Sequence, residues 1–147
     1  LPVEVQALTL HTTAPNPRRI VSGVDSARVA MVLAVLEKRA GIKLSDQDVY
    51  VSTVGGVRLT EPAADLAIAL AIASAATERP NPTKFAAIGE LSLSGEIRKV
   101  TQHDQRRSEA ARLGYKAVID ASAGTLRDAL NQRARHHTPR HDDRPDF

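Results

Sequence analysis

From Leu66 to Ala76 the chain reads LAIALAIASAA, a stretch with no charge and one hydroxyl. At 3.6 residues per turn these apolar positions cover every side of a helix rather than one stripe. Such a helix has no face to give to water and must be wrapped all round. It is also far shorter than the roughly 20 residues that cross a bilayer. A second run, Ala27 to Leu36, carries Arg28 as its sole charge. Two such helices in 147 residues leave two readings open. Either both lie inside one small domain, or another subunit covers part of their apolar surface.

The flanking residues support helices at both runs. Asp25 or Ser26 stands ready as N-cap of the first, which ends in Glu37-Lys38-Arg39-Ala40-Gly41, with cations in the last turn and glycine beyond it. Thr60 is the expected cap of the second, with Pro62 in its first turn and Pro80 and Pro82 past its end. Alternating apolar and polar residues predict strands at 3–10, 18–22 and 48–54, with shorter ones at 85–88, 91–93, 95–100 and 116–119. A polar helix is expected over 102–113 and a short one over 124–131. Strands interleaved with helices indicate an α+β domain (α/β-like), with helices packed on a mixed β-sheet. From Arg133 onward arginine, histidine and aspartate dominate, so residues 132–147 read as a disordered tail after a domain at 1–131.

Charge is unevenly distributed. Residues 16–43 hold six Lys or Arg against two acids, and residues 98–116 the same, while residues 44–96 hold seven acids against three bases. The two basic segments read either as solvated helix faces or as a surface for a polyanion such as DNA. In the second case phosphate contacts fall to Arg18 and Arg19, and to Arg98, Lys99, Arg106 and Arg107. Tyr50, Phe85, Tyr115 and Phe147 are the whole aromatic complement, too few for a base-stacking platform, so the contact is expected to ignore sequence.

The chemistry that is missing narrows the field. There is no cysteine, which removes disulfides, thiol catalysis and thiolate zinc sites. None of the eight glycines precedes a lysine, so there is no P-loop. His103 has no nucleophile partner in sequence and reads as a surface helix residue. His136, His137 and His141 read as part of a polar tail. Leu1-Pro2-Val3-Glu4 has neither the basic start nor the apolar core of a signal peptide, and a start without Met suggests excision from a larger protein.

Gly89–Ile97 (GELSLSGEI) resembles the GE-x-x-L-x-G-x-[VI] hairpin of the Lon proteolytic domain. Glu61–Ala67 (EPAADLA) falls where that domain has its Gly-Pro-Ser-Ala-Gly nucleophile motif. LPVEVQAL at 1–8, Arg18-Arg19, LAVLEKRAG at 33–41, DQDVYV at 46–51, Gly55-Gly56-Val57-Arg58 and TEPAADLA at 60–67 are more similar still to the Lon-like C-terminal domain of the RadA (Sms) family of bacterial DNA-repair and recombination proteins. The similarity covers about residues 1–120.

The resemblance implies a Lon proteolytic-domain-like fold, related to domain 2 of a ribosomal protein. In Lon the chemistry is a Ser-Lys dyad, with the lysine held neutral as base. Its two positions here are Ala63 and Asp104, so the expected catalytic set is empty. A substitute drawn from Thr60, Ser92, Ser94 and Lys99 defines a rival reading, a peptidase with a rearranged site. The family further implies a cytoplasmic bacterial protein with a zinc-binding element and a RecA-like, DNA-dependent ATPase of helicase type. ATP, magnesium and zinc then belong to those other parts, and this chain needs no cofactor, metal or membrane of its own. The implied partners are DNA, the chain's own ATPase domain and further copies in a hexameric ring. A pure oligomerisation module without DNA contact is the third reading.

Overall fold

The computed structural model describes residues 3–81 and 85–136. Strand β1 (Val5–His11) pairs antiparallel with β3 (Gln47–Thr53), and β2 (Arg19–Ser22) pairs parallel with the other edge of β3. Register places Leu8, Tyr50 and Ile20 in one row across this three-stranded sheet. Successive side chains alternate faces. Val49 and Val51 therefore point into the core, while Leu8 and Ile20 remain more than half exposed on the other face.

Helix α1 (Ser26–Ala40) connects β2 to β3. The Asp25 side chain accepts the Ala27 N–H at 3.1 Å, Lys38 and Arg39 occupy the last turn, and Gly41 closes the helix in the left-handed conformation. Val29, Val32, Leu33 and Leu36 form the i, i+3, i+4, i+7 stripe that faces inward. Its outward side carries Ala27, Ala30 and Ala34.

Helix α2 (Asp65–Thr77) lies against β1 and α1. Leu66, Ile68, Ala69, Leu70, Ile72 and Ala73 are all at most 2% exposed. At about 2 kcal/mol for each large apolar side chain, this helix and α1, which buries Val29, Val32, Leu33, Val35 and Leu36, are the principal hydrophobic contributions to the fold. Most of the uncharged circumference of α2 is thus absorbed inside the domain, while Ala67, Ala71 and Ala75 keep partial exposure along one side. Thr60 does not cap it. A 3₁₀ turn at Pro62–Ala64 precedes the helix, and Ala64 at its boundary makes no side-chain cap. The Leu66 N–H is instead met by the carbonyl of Gly89 at 3.1 Å.

Two small sheets complete the domain: β4 (Phe85–Ala87) parallel to β7 (Ala117–Ile119), and the hairpin β5 (Glu90–Leu91) with β6 (Ile97–Arg98). The mixed sheet expected from the sequence is therefore divided among three, in an α+β arrangement. Helices α3 (His103–Arg112) and α4 (Leu126–His136) follow, with α4 against α1 and β7. The last helix runs to His136, past the expected end at Asn131. Arg133 is drawn in rather than solvated: it is 6% exposed and donates to Asn81 Oδ1 at 3.2 Å. The tail expectation for 132–147 thus fails over 132–136, and the rest of it lies outside the described residues.

At the start of α1 two segments converge on Gly23. A Cβ there would stand 2.1 Å from Thr53 Oγ1 and 2.7 Å from the Val57 carbonyl, at a φ of +80°. Replacing Gly23 with Ala is expected to lower stability by about 2 kcal/mol or more, from the left-handed conformation and the clash together. A urea midpoint unchanged from wild type contradicts this packing.

Candidate nucleic-acid interface

The segment 61–66 and the segment 89–91, which carry the two motifs read in the sequence, meet in space. The Gly89 N–H donates to the Ala63 carbonyl at 3.1 Å, and the Gly89 carbonyl accepts from Leu66. Gly89 has no room for a side chain, since a Cβ would sit 2.5 Å from Ile97 Cγ2. Next to this junction the fully buried Asp65 carboxylate accepts Arg28 Nε at 3.0 Å, a second Arg28 N–H, and the Leu91 N–H at 3.0 Å. Glu90 adds a carboxylate 3.8 Å from Arg28. Hydrogen bonding to Asp65 raises the Arg28 guanidinium above its ordinary pKa, despite opposing desolvation.

Ala63 and Asp104 do not form a reactive pair. Ala63 is 9% exposed with its carbonyl tied to Gly89, and Asp104 is 92% exposed on α3. Nor do the substitutes assemble. Ser92 and Ser94 hydroxyls bond to each other at 2.8 Å in the β5–β6 turn. Among the described residues no hydrogen bond joins Lys99 to Thr60, Ser92 or Ser94.

The six candidate phosphate-binding cations separate into two groups. Arg19 donates to the carbonyls of Gln47 and, at 3.0 Å, Leu44, fastening the α1–β3 connection to β2. Arg106 pairs with Glu61 at 2.6 Å and bonds the Thr101 carbonyl. Arg107 pairs with Asp120 at 2.7 Å. Arg18 bonds Asp48 through its backbone N–H, not through its side chain. Arg98 and Lys99 are exposed at the end of the hairpin, and among the described residues the side chains of Arg18, Arg98 and Lys99 make no hydrogen bond or ion pair. No such bond joins the two basic segments either.

Two constellations escaped the sequence reading. Arg28 and Asp65 were visible as lone opposite charges beside two apolar runs, and that was the available signal. Around Asp120, 3% exposed, converge Ser122 N–H and Oγ at 3.0 and 2.6 Å, Arg107, and His103 Nε2 at 2.8 Å. His103, expected on the surface, has a ring 11% exposed, with Nδ1 3.3 Å from Asp104. Burial pushes the Asp120 carboxyl up, but the Ser122 bonds, His103 and the Arg107 charge together hold it below the usual range. The hydroxyl points at the carboxylate and not at the imidazole, so this cluster lacks the order of a nucleophilic triad. It ties α3 to the end of β7.

The family described as subunit ChlI of Mg-chelatase matches residues 23–123. The chain belongs to the ChlI family. It is homologous to the DNA repair protein RadA: 55% identical over 116 residues to that of Mycolicibacterium smegmatis, 51% over 117 to that of Halalkalibacterium halodurans and 48% over 121 to that of Bacillus subtilis. These alignments take in 79–82% of this chain but 25–26% of each relative. The chain therefore spans about a quarter of the length of the RadA proteins it matches. Among the described residues of this ChlI-family chain, no three His, Cys, Asp or Glu side chains gather as a metal site. No helix described is long and apolar enough to cross a membrane.

Because its folded pKa lies low, Asp120 adds stability that is complete above the unfolded carboxylate value of about 4 and is lost as pH falls through the folded value. Asp120→Asn is expected to be about 2 kcal/mol less stable near neutrality, with a flatter acid limb than wild type. Urea midpoints taken from neutral to acid pH test this; parallel limbs refute it.

Proposed function

We propose that the chain is the non-catalytic, Lon-like domain of a RadA-type DNA-repair ATPase of the bacterial cytoplasm, supporting ring assembly and contacting DNA through phosphates. The observation that carries the reading is the 55% identity to the DNA repair protein RadA across 79% of the chain. The non-catalytic part is supported by Ala63 and Asp104 at the dyad positions, one buried against Gly89 and the other in solvent. A serine-directed phosphonate should label no residue; labelling of Thr60, Ser92 or Ser94 would favour the rearranged peptidase.

For DNA the proposed phosphate role goes to the cations whose side chains make no hydrogen bond or ion pair among the described residues. Arg98, Lys99 and Arg18 keep exposed cations for phosphates, whereas Arg19, Arg106 and Arg107 are committed to internal partners. A bound phosphate contributes about −0.9 to the log–log salt slope on duplex DNA. Replacing both Arg98 and Lys99 with Glu should therefore flatten the slope by about 2 and weaken binding equally for all sequences. Arg107→Glu should instead act mainly on stability by opening the Asp120 cluster. Unchanged affinity and slope in the Arg98–Lys99 variant would leave assembly without DNA contact as the better reading.

A further inference from the structure

Helix α3 meets the domain through side chains that a permanently docked helix would not use. Its inward stripe, spaced i, i+3, i+4 and i+7, reads His103, Arg106, Arg107 and Ala110. The same stripe of α1 is Val29, Val32, Leu33 and Leu36. Ala110 is the sole buried residue of α3, so docking this helix removes little apolar surface from water.

The grip is electrostatic instead. His103 Nε2 and Arg107 meet the Asp120 carboxylate at 2.8 and 2.7 Å, and Arg106 meets Glu61 at 2.6 Å. Both carboxylates belong to other parts of the fold: Glu61 stands just before the turn into α2, and Asp120 directly follows β7. Arg106, Arg107 and Glu61 keep 33%, 51% and 56% of their side chains in solvent, so these pairs are open to screening and to exchange of partners.

Nor is the helix secured at its start. Gln102 precedes it in the left-handed conformation, at a φ of +57°, and gives it no side-chain cap. A helix of 10 residues is marginal in water once it leaves a domain. Release of the two carboxylates therefore undocks and unwinds α3 together, while the Asp65 joint at the start of α2 stays closed. Opening also changes the charge that the segment shows. Glu61 and Asp120 remain with the domain, whereas Arg106 and Arg107 leave with the chain and join Arg98 and Lys99. From Arg98 to Arg112, five Lys or Arg then stand against Asp104 and Glu109.

We propose that α3 is a charge-held latch: a phosphate polyanion, by taking Arg106 and Arg107 from Glu61 and Asp120, shifts residues 102–113 from docked helix to open chain. A ligand moves such an equilibrium only by its preference for one state, and here that preference lies in cations that the closed state keeps paired. The ligand of the open state rests on the phosphate reading above; the latch itself does not.

Hydrogen exchange of the whole chain, read at the amides of Arg107 to Arg112 and of Ile68 to Ile72, tests the latch. In dilute salt the α3 amides should exchange about a hundredfold or more faster than those of α2, through an opening that spares the core. Raising sodium chloride from roughly 50 to 500 mM should speed α3 severalfold and leave α2 unchanged, because salt screens exposed ion pairs. Inorganic polyphosphate at matched ionic strength should speed α3 in the same way. Without polyanion, Glu61→Gln should speed it roughly two- to fivefold. Exchange of α3 at the rate of α2, or a rate that salt slows or that neither salt nor Glu61→Gln moves, overturns the latch. An α3 that opens with salt but is unmoved or protected by polyphosphate overturns its control by polyanions. The DNA reading fails separately, through an unchanged salt slope in the Arg98–Lys99 variant.

Discussion

Asp65 enters the interior with no exposed surface, and everything around the start of α2 is arranged to satisfy it. Arg28 reaches it from α1 through two N–H groups, and Leu91 reaches it from the hairpin through one. Three elements distant in sequence are thereby fixed to one carboxylate. Exchanging such a pair for apolar residues is often neutral or stabilising, but removing one partner strands the other, at about 3–5 kcal/mol when both are buried. Arg28 keeps about a quarter of its side chain in solvent, so the loss of Asp65 is milder than the loss of Arg28, which leaves a buried carboxylate alone.

This joint includes Ala63, the position that the sequence resemblance sets against the nucleophile of Lon proteases. A reactive site needs a reachable hydroxyl, a base beside it and space for a peptide. Here the position holds a methyl group whose carbonyl is bound to Gly89, and Gly89 is itself closed against Ile97 and Leu66. The two motif segments converge here through backbone hydrogen bonds between Gly89, Ala63 and Leu66. The phosphate contacts proposed above draw instead on the exposed cations at the hairpin base.

Much of the fold was legible in the residues because local signals were strong. Asp25, the inward stripe of α1 and Gly41 marked that helix at both ends, and the strands at 5–11 and 47–53 alternate as an edge and a central strand should. The deep burial of most of α2 followed from its composition, although the choice between core and subunit contact did not. Side-chain roles were less readable, since a charge count says nothing of what an arginine faces. Arg106 and Arg107 looked like solvent-directed cations on a polar helix, yet Glu61 and Asp120 lie 45 and 13 residues away in sequence and claim them in space. Arg133 looked like the start of a tail and became a buried helix residue for the same reason, its partner Asn81 being 52 residues upstream.

The central claim is that the start of α2 is a closed structural joint rather than an openable site. Native-state hydrogen exchange at two amides reads this directly: Leu66, bonded to the Gly89 carbonyl, and Leu91, bonded to Asp65. The account predicts that both exchange as slowly as the amides of Ile68 to Ile72 in the middle of α2, through global unfolding alone. Exchange at Leu66 and Leu91 by orders of magnitude faster than at those positions, through a local opening, would contradict it.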